Sequence, residues 1–230
     1  MTKRKLQRFD ENRTFAHYFE RTYEQLSGKG FEYKGIWNKE FFGNNNPIIL
    51  EVGCGKGEYT VGLAKRFPNK NFIGIDIKGA RIWRGAKTVA DEHIKNVAFI
   101  RTQAGIIDLW FAPKEVSEIW FTFPDPQPGA RENKRLTSPR YLSSFAKVLD
   151  PNGIIHLKTD SDLLYEYTLS VIKENRHRLI HQIDNVYNGQ ISGPLSEIQT
   201  FYEQMWLEEG KTIKYVSFSL NPKMYESGEE

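Results

Sequence analysis

Only one cysteine, Cys54, occurs in 230 residues. An intrachain disulfide is therefore excluded, as is a zinc centre built from several cysteines, and no metal site is expected. A reducing compartment suits such a chain. Long apolar runs are also missing: no stretch approaches the ~20 consecutive apolar residues that a spanning helix needs. The opening segment, MTKRKLQRFDENR, is polar and basic with no apolar run behind it. It has neither the pattern of a secretory signal nor that of a membrane anchor, so a cytoplasmic location is expected. Charge of one sign is scarce as well, since 32 Lys and Arg against 29 Asp and Glu leave a net charge of +3. That balance permits nucleic-acid binding, but the phosphate contacts have to come from local clusters rather than from an overall field. Internal repeats and low-complexity linkers are absent too. With 39% hydrophobic and 27% charged residues, the chain has the material for one soluble domain with a substantial core.

From Asn12 to Leu26 the aromatics Phe15, Tyr18, Phe19 and Tyr23 recur at a helical spacing, and a Gly-rich break leads to Trp37, Phe41 and Phe42. Residues 1–46 read as an N-terminal arm and cover, whose aromatics also suit plain packing on the core. After Pro47 the pattern changes. Strand-like runs at 48–52, 71–77, 96–102, 116–123 and 153–160 alternate with helical ones at 58–67, 80–93, 139–149 and 162–175. Pro151-Asn152-Gly153 reads as the turn before the fifth strand. Such alternation predicts βαβ units: an α/β, Rossmann-like, doubly wound and mostly parallel sheet with helices on both faces. The end differs, because 178–187 and 211–220 read as strands around a helical 195–209. This late pair is expected to close the sheet with an antiparallel C-terminal strand. The predicted layout is one main domain over 47–220, with a tail at 221–230.

The segment L50-E51-V52-G53-C54-G55-K56-G57-E58 joins the first strand of that unit to its first helix. Gly53, Gly55 and Gly57 allow a sharp turn and close approach of a ligand at the carboxyl end of a parallel sheet. The spacing is G-x-G-x-G, with Glu58 where the dinucleotide fingerprint has its last small residue. Acids on both sides, Glu51 and Glu58, disfavour a pyrophosphate and suit a ligand carrying a sulfonium and an ammonium. A tight turn without any ligand fits the same letters. Asp76 ends the second strand about twenty residues on, where an acid commonly bonds ribose hydroxyls. At the end of the third strand Gln103 and Ala104 stand where a side chain can reach an adenine, or form a plain loop.

The fourth strand runs into FTFPDPQP, with three prolines around Asp125. Proline fixes the backbone and removes a donor, so this loop is stiff and holds its acid still. A rigid acid at that strand end suits either a methyl donor or the polar edge of a base, and a solvated Asp on a stiff turn fits as well. The basic run Arg131-Glu132-Asn133-Lys134-Arg135, then Arg140, offers phosphate contacts or a solvated face. Asp160 ends the fifth strand on the same rim. Thr200, Phe201, Tyr202 and Glu203 add aromatic and acidic groups from the late helix.

Taken in order, these motifs resemble the bacterial tRNA (guanine-N7)-methyltransferases across roughly 47–220. LEVGCGKGEYT looks like their cofactor loop and NFIGIDIKGARIWRGAK like their second strand and following helix. FPDPQP with KRLTSPRYL is similar to their F-P-D-P-W-P signature followed by K-R-R-L, HLKTD to their strand-five T-D, and TFYE to their late T-K/R-F-E. The resemblance implies S-adenosylmethionine as cofactor, tRNA as partner, and the variable-loop guanine, position 46, as target. It places Glu51, Asp76 and Asp125 on cofactor-contacting positions, and Gln103 where the family has Asn or Asp. Asp160 and the run Thr200 to Glu203 fall on guanine-contacting positions. Gln127 stands in place of the signature Trp, and Gly129 or Ala130 in place of a substrate-contacting Lys, in a loop one residue shorter. Lys134 and Arg131 are the basic groups available to replace that Lys. The N-terminal arm matches poorly.

Guanine N7 has an in-plane lone pair and no proton, so a methyl transfer needs placement and nearby carboxylates, here Asp125 and Asp160, rather than a base. Three other readings remain at this stage. They are a methyltransferase acting on a small molecule or protein, a non-catalytic RNA-binding module, and a nicotinamide oxidoreductase. The last lacks its G-x-G-x-x-G. A monomer and a homodimer are equally compatible with the sequence.

Overall fold

The computed structural model describes residues 3–189 and 191–225. Of the expected tail, residues 226–230 lie outside the described residues. Helix α1 (Lys3–Asn12) leads to a short strand β1 (Tyr18–Glu20), one helical turn α2 (Tyr23–Leu26) and a π-helical turn at Trp37–Phe42. The repeating part follows with β2 (Ile48–Val52), α3 (Glu58–Arg66), β3 (Asn71–Asp76), α4 (Gly79–Asp91) and β4 (Val97–Arg101). Next come β5 (Val116–Thr122), α5 (Pro139–Ala146), β6 (Leu149–Thr159), α6 (Asp162–Glu174) and β7 (Arg178–Ile183). The chain closes with α7 (Pro194–Glu197), α8 (Phe201–Glu208) and β8 (Lys214–Ser219).

All eight strands form one sheet in the order β1-β4-β3-β2-β5-β6-β8-β7. The pairs from β1 to β6 are parallel, and β8 runs antiparallel to both its neighbours. The reversed strand is thus β8, as expected, but it lies inside the sheet with β7 at the edge. Every residue of β2 is buried, the signature of a parallel strand covered on both faces. Alternate side chains feed two cores: Leu50, Ile73, Ala98 and Phe121 on one side, Ile49, Phe72, Phe99 and Trp120 on the other. Since β2 lies between β3 and β5, the strand order reverses there and opens a crevice at their carboxyl ends.

Three local expectations are corrected. The aromatics at 15–23 do not share one helix: Tyr18 and Phe19 pair with Phe99 and Ile100 as β1 of the sheet, and Tyr23 opens the separate turn α2. Phe19 then meets Phe31, Tyr33, Trp37 and Phe41 edge to face, with centroids 5.3–5.8 Å apart. Trp37 is fully buried and its indole N–H donates to the Trp110 carbonyl at 3.0 Å. Pairing to a sheet edge and an aromatic cluster outweigh a short local period. Secondly, β6 begins before the Pro-Asn-Gly turn: Val116 pairs with Leu149 and Glu118 with Ile154, so the turn loops out as a bulge within the strand. Thirdly, the helix expected over 195–209 is broken into α7 and α8. Thr200 accepts from the Glu203 N–H while the Glu203 carboxylate accepts from the Thr200 N–H, a capping box that starts a new helix.

Candidate active site

The glycine loop turns on three left-handed residues, Gly53 (φ +83°), Gly55 (φ +56°) and Gly57 (φ +72°). Gly53 and Cys54 N–H groups both donate to the Ile75 carbonyl, folding the loop over the end of β3. There the Asp76 carboxylate accepts from Gly55 N at 2.9 Å on one oxygen and from Lys78 N at 2.7 Å on the other. Asp76 is thereby aimed and still half-exposed, with lone pairs left for a ligand. Gln103 is exposed and Ala104 half-buried just beyond β4. An open cleft of ≈ 600 Å³ runs past Ile77, Arg101, Thr102, Gln103 and Ile106. Sequence reasoning missed Ile77, an apolar side chain left 57% exposed beside that cleft. Its signal was present: a hydrophobic residue directly after the acid that ends a buried strand.

Glu51 is placed differently. It lies beneath the loop, 3% exposed, accepting from Thr60 N at 2.8 Å and from the Thr60 and Thr122 hydroxyls. Burial pushes its carboxyl up to about 7, against the pull of the two threonines. The structure uses this acid to join β2, β5 and the first turns of α3, and does not bring it to the cleft.

At the end of β5 the F-P-D-P segment bends through Phe123 (φ +50°) and Gln127 (φ +46°), both outside the conformations such residues favour. Asp125 is exposed and accepts from Gln127 N at 3.0 Å. The restraint comes from Arg135, which sequence reasoning had grouped with the phosphate-facing cations. Its side chain is instead buried. Arg135 Nε donates to the Pro126 carbonyl at 3.0 Å, Nη2 to the Gln127 carbonyl at 3.3 Å, and the guanidinium lies 4.3 Å from the Tyr167 ring. Arg131 and Lys134 are exposed, and neither lines the cleft that Asp125 shares with Asp160.

Asp160, just beyond β6, meets Lys211 Nζ at 3.4 Å, and that ammonium sits 3.3 Å from the centroid of Trp206 on α8. An open cleft of ≈ 950 Å³ brings together Asp125, Asp160, Tyr202 and Trp206, with Lys78, Arg81 and Lys214 around them. Thr200 caps α8. Phe201 is exposed, its N–H donates to Glu58 at 2.8 Å, and its ring lies 3.6 Å from Lys56 Nζ. Glu203 is not in this cleft. It is fully buried and pairs with Lys158 Nζ at 2.5 Å, also fully buried, while the Tyr187 hydroxyl donates to it at 2.7 Å. Burial pulls the Lys158 ammonium below its ordinary pKa, opposed by the Glu203 charge. Among the described residues no group of three or more His, Cys, Asp or Glu could hold a metal ion. No helix among them is long and apolar enough to cross a membrane.

A glycine loop with a pinned carboxylate at the switch point, next to a cleft carrying both acids and cations, places the chain among the methyltransferase folds. The 16S rRNA methyltransferase KamB superposes with a TM-score of 0.62 at 14% identity, covering 80% of this chain and 92% of that one. Residues 45–216 match the family model described as "Putative methyltransferase". A tRNA (guanine-N(7)-)-methyltransferase of Christiangramia forsetii is 50% identical over 221 residues, which is 95% of this chain and 99% of that relative. One from Porphyromonas gingivalis is 52% identical over 210 residues, 90% of this chain and 86% of that relative. The chain belongs to the tRNA (guanine-N(7)-)-methyltransferase family.

Proposed function

We propose that this protein transfers a methyl group from S-adenosylmethionine to N7 of guanine in tRNA, with the variable-loop guanine at position 46 as target. One observation carries the reading: Asp76 by the glycine loop, Asp125 and Asp160 stand at the carboxyl ends of β3, β5 and β6 around one switch point, with Tyr202 of α8 beside the two rim acids. The residues around the loop fit this cofactor. Asp76 offers acceptors for ribose hydroxyls, Ile77 an apolar face for a flat ring, and Gln103 a polar edge beside it. Glu58 and Asp76 flank the loop with carboxylates, which suits an ammonium and a sulfonium and opposes a pyrophosphate. When bound, the cofactor supplies an electrophilic methyl group.

The chain's own residues then have two tasks. Asp125 and Asp160 hold the donor side and the base edge in line, and their charge stabilises the cation that the guanine ring becomes when its N7 lone pair forms the new bond. No proton leaves N7, so no side chain has to act as a base. Tyr202 and Trp206 offer ring faces for the purine, Lys78 and Arg81 line the cleft for phosphates, and Arg131 and Lys134 are exposed on the loop that follows F-P-D-P. A tRNA substrate and a lone buried Cys54 fit a cytoplasmic enzyme.

Incubating the protein with S-adenosylmethionine and unmodified tRNA, followed by mass spectrometry of the nucleosides, tests the reading. The expected product is 7-methylguanosine, confined to the variable loop. Donor binding without methylated tRNA would favour a small-molecule or protein substrate, and no donor binding would leave an RNA-binding module.

A further inference from the structure

We propose that Lys158 is a positioning residue for the substrate half of the site: its buried pair with Glu203 fixes the first turn of α8, and so Tyr202, relative to Asp160. This rests on the assignment of that cleft to the guanine. Lys158 does not line the cleft and is fully buried, so it acts through its partners.

Those partners come from separate pieces of chain. Glu203 belongs to α8, Tyr187 to the segment after β7, and the Ile198 carbonyl, 3.3 Å from Lys158 Nζ, to the turn between α7 and α8. The cation on β6 therefore holds two points of the excursion that leaves the sheet after β7 and returns at β8, Glu203 and Ile198, and reaches Tyr187 through Glu203. The ends of the excursion are anchored by buried Val186 and Ile213, but its helices are short. Helix α8 is eight residues long, too short to be stable alone, and the α7–α8 segment is bounded by left-handed Gly193 (φ +106°) and Gly210 (φ +75°). Its outer ties, Lys211 to Asp160 and Phe201 N to Glu58, are exposed to water.

A buried ion pair is a poor device for stability, because apolar side chains of similar volume commonly do as well or better. Its advantage is direction. An ammonium facing a carboxylate with a hydroxyl and a carbonyl around it accepts one register, whereas an apolar contact between β6 and α8 tolerates sliding. Lys158 stands two residues before Asp160 on the same strand end, and Glu203 directly follows Tyr202. Locking Lys158 to Glu203 thus sets the spacing between the acid and the ring that flank the cleft. Toward the donor half, on the ends of β2, β3 and β4, the excursion is tied by the exposed contacts of Phe201 with Glu58 and Lys56, whereas Asp76 is held by the Gly55 and Lys78 N–H groups.

The test uses Lys158→Met alone and the neutral pair Lys158→Met/Glu203→Gln, in which Gln retains the cap and a partner for Tyr187. Three quantities are measured: methyl transfer to tRNA, melting temperature, and S-adenosylhomocysteine affinity by calorimetry. Lys158→Met is expected to lower kcat about a hundredfold, as a misplacement of about 1 Å does, with donor affinity held within about twofold. The neutral pair is expected to regain melting temperature while kcat stays low. If turnover returns together with melting temperature, or donor affinity falls in step with kcat, Lys158 is merely structural and the proposal is overturned. Should the Met variants not fold, Lys158→Arg, which keeps the charge and changes its reach, takes their place. A lowered kcat at unchanged donor affinity supports the proposal, and wild-type kcat overturns it. A wild-type protein that methylates no tRNA would instead remove the assignment of the cleft.

Discussion

Replacing Gly85 by alanine sets two physical effects against each other at the point where α4 meets the glycine loop. Helix propensity alone favours the change by about 1 kcal/mol, because Gly85 lies in the middle of α4. Packing opposes it. A Cβ at Gly85 would stand 2.7 Å from Phe99 Cζ, 2.8 Å from the Lys56 carbonyl oxygen and 3.1 Å from Gly57 Cα. Two of these neighbours are backbone and cannot rotate away. The ring cannot retreat either, since Phe99 is fully buried and presses on the Cα faces of Gly57 and Gly74 as well. Overpacking of this kind costs about 1–3 kcal/mol, and rigid neighbours put Gly85 at the upper end. The net effect is a loss of about 1–2 kcal/mol, or about 3–6 °C in melting temperature for a chain of this size. Relief requires Lys56 and Gly57 to lift off α4, which draws Gly55 N away from Asp76, so donor affinity should fall about tenfold for each 1.4 kcal/mol of lost alignment. Thermal unfolding of Gly85→Ala with and without S-adenosylhomocysteine reads both effects, since the ligand-induced rise reports the affinity. A variant that melts higher than wild type and binds the ligand equally well would show that α4 does not set the loop.

Other substitutions probe the remaining parts. Burial raises the Glu51 carboxyl from 4.5 to about 7, so the native state keeps a proton that the unfolded chain has lost across that window. The corresponding stability is full below the lower value and lost as pH rises through the upper one, a change of about 3 kcal/mol. Glu51→Gln, neutral throughout, should flatten this fall; melting temperatures at about pH 5 and about pH 8 that keep the wild-type difference would contradict it. Arg135→Lys loses the fork that holds the Pro126 and Gln127 carbonyls. It should slow methyl transfer about tenfold while donor affinity stays near wild type, and full activity would mean that the prolines alone hold Asp125. Asp160→Ala should nearly abolish transfer with donor binding intact, and near-wild-type turnover would remove Asp160 from the site.

The sheet was legible because its signals are repetitive: apolar runs ending in a glycine or an acid, separated by helices of one periodicity. The reversed strand β8 was read from the two late strand-like runs that follow the last regular strand–helix unit. What misled was local pattern without partner. Tyr18 and Phe19 carry a helical spacing in the sequence, yet their place is decided by Phe99 and Ile100 across the sheet edge and by the Trp37 cluster, all distant in the chain. The break before α8 lay within reach, since Thr200 and Glu203 form the T-x-x-E of a capping box. Reading that motif only as a substrate contact hid its simpler structural meaning.

The same ambiguity governs the acids, and it explains why the site was harder to read than the fold. Glu51 and Glu203 stand in motifs that suggest ligand contact, as Asp76, Asp125 and Asp160 do, and letter and spacing cannot separate the two groups. What separates them is competition for their lone pairs. Glu51 has two threonines beneath the loop, and Glu203 has Lys158, Tyr187 and its own helix cap, so each is consumed by protein. Asp76 is bonded only by backbone N–H groups that fix its direction, Asp125 by a single one, and Asp160 by a lysine that water also reaches. An acid turned inward can be charged or neutral without touching substrate, and its loss acts through geometry. An acid left on the rim keeps capacity for a ligand, and its loss acts on the chemistry. Substitution at Glu51 should therefore move melting temperature and turnover together, and at the rim acids turnover alone.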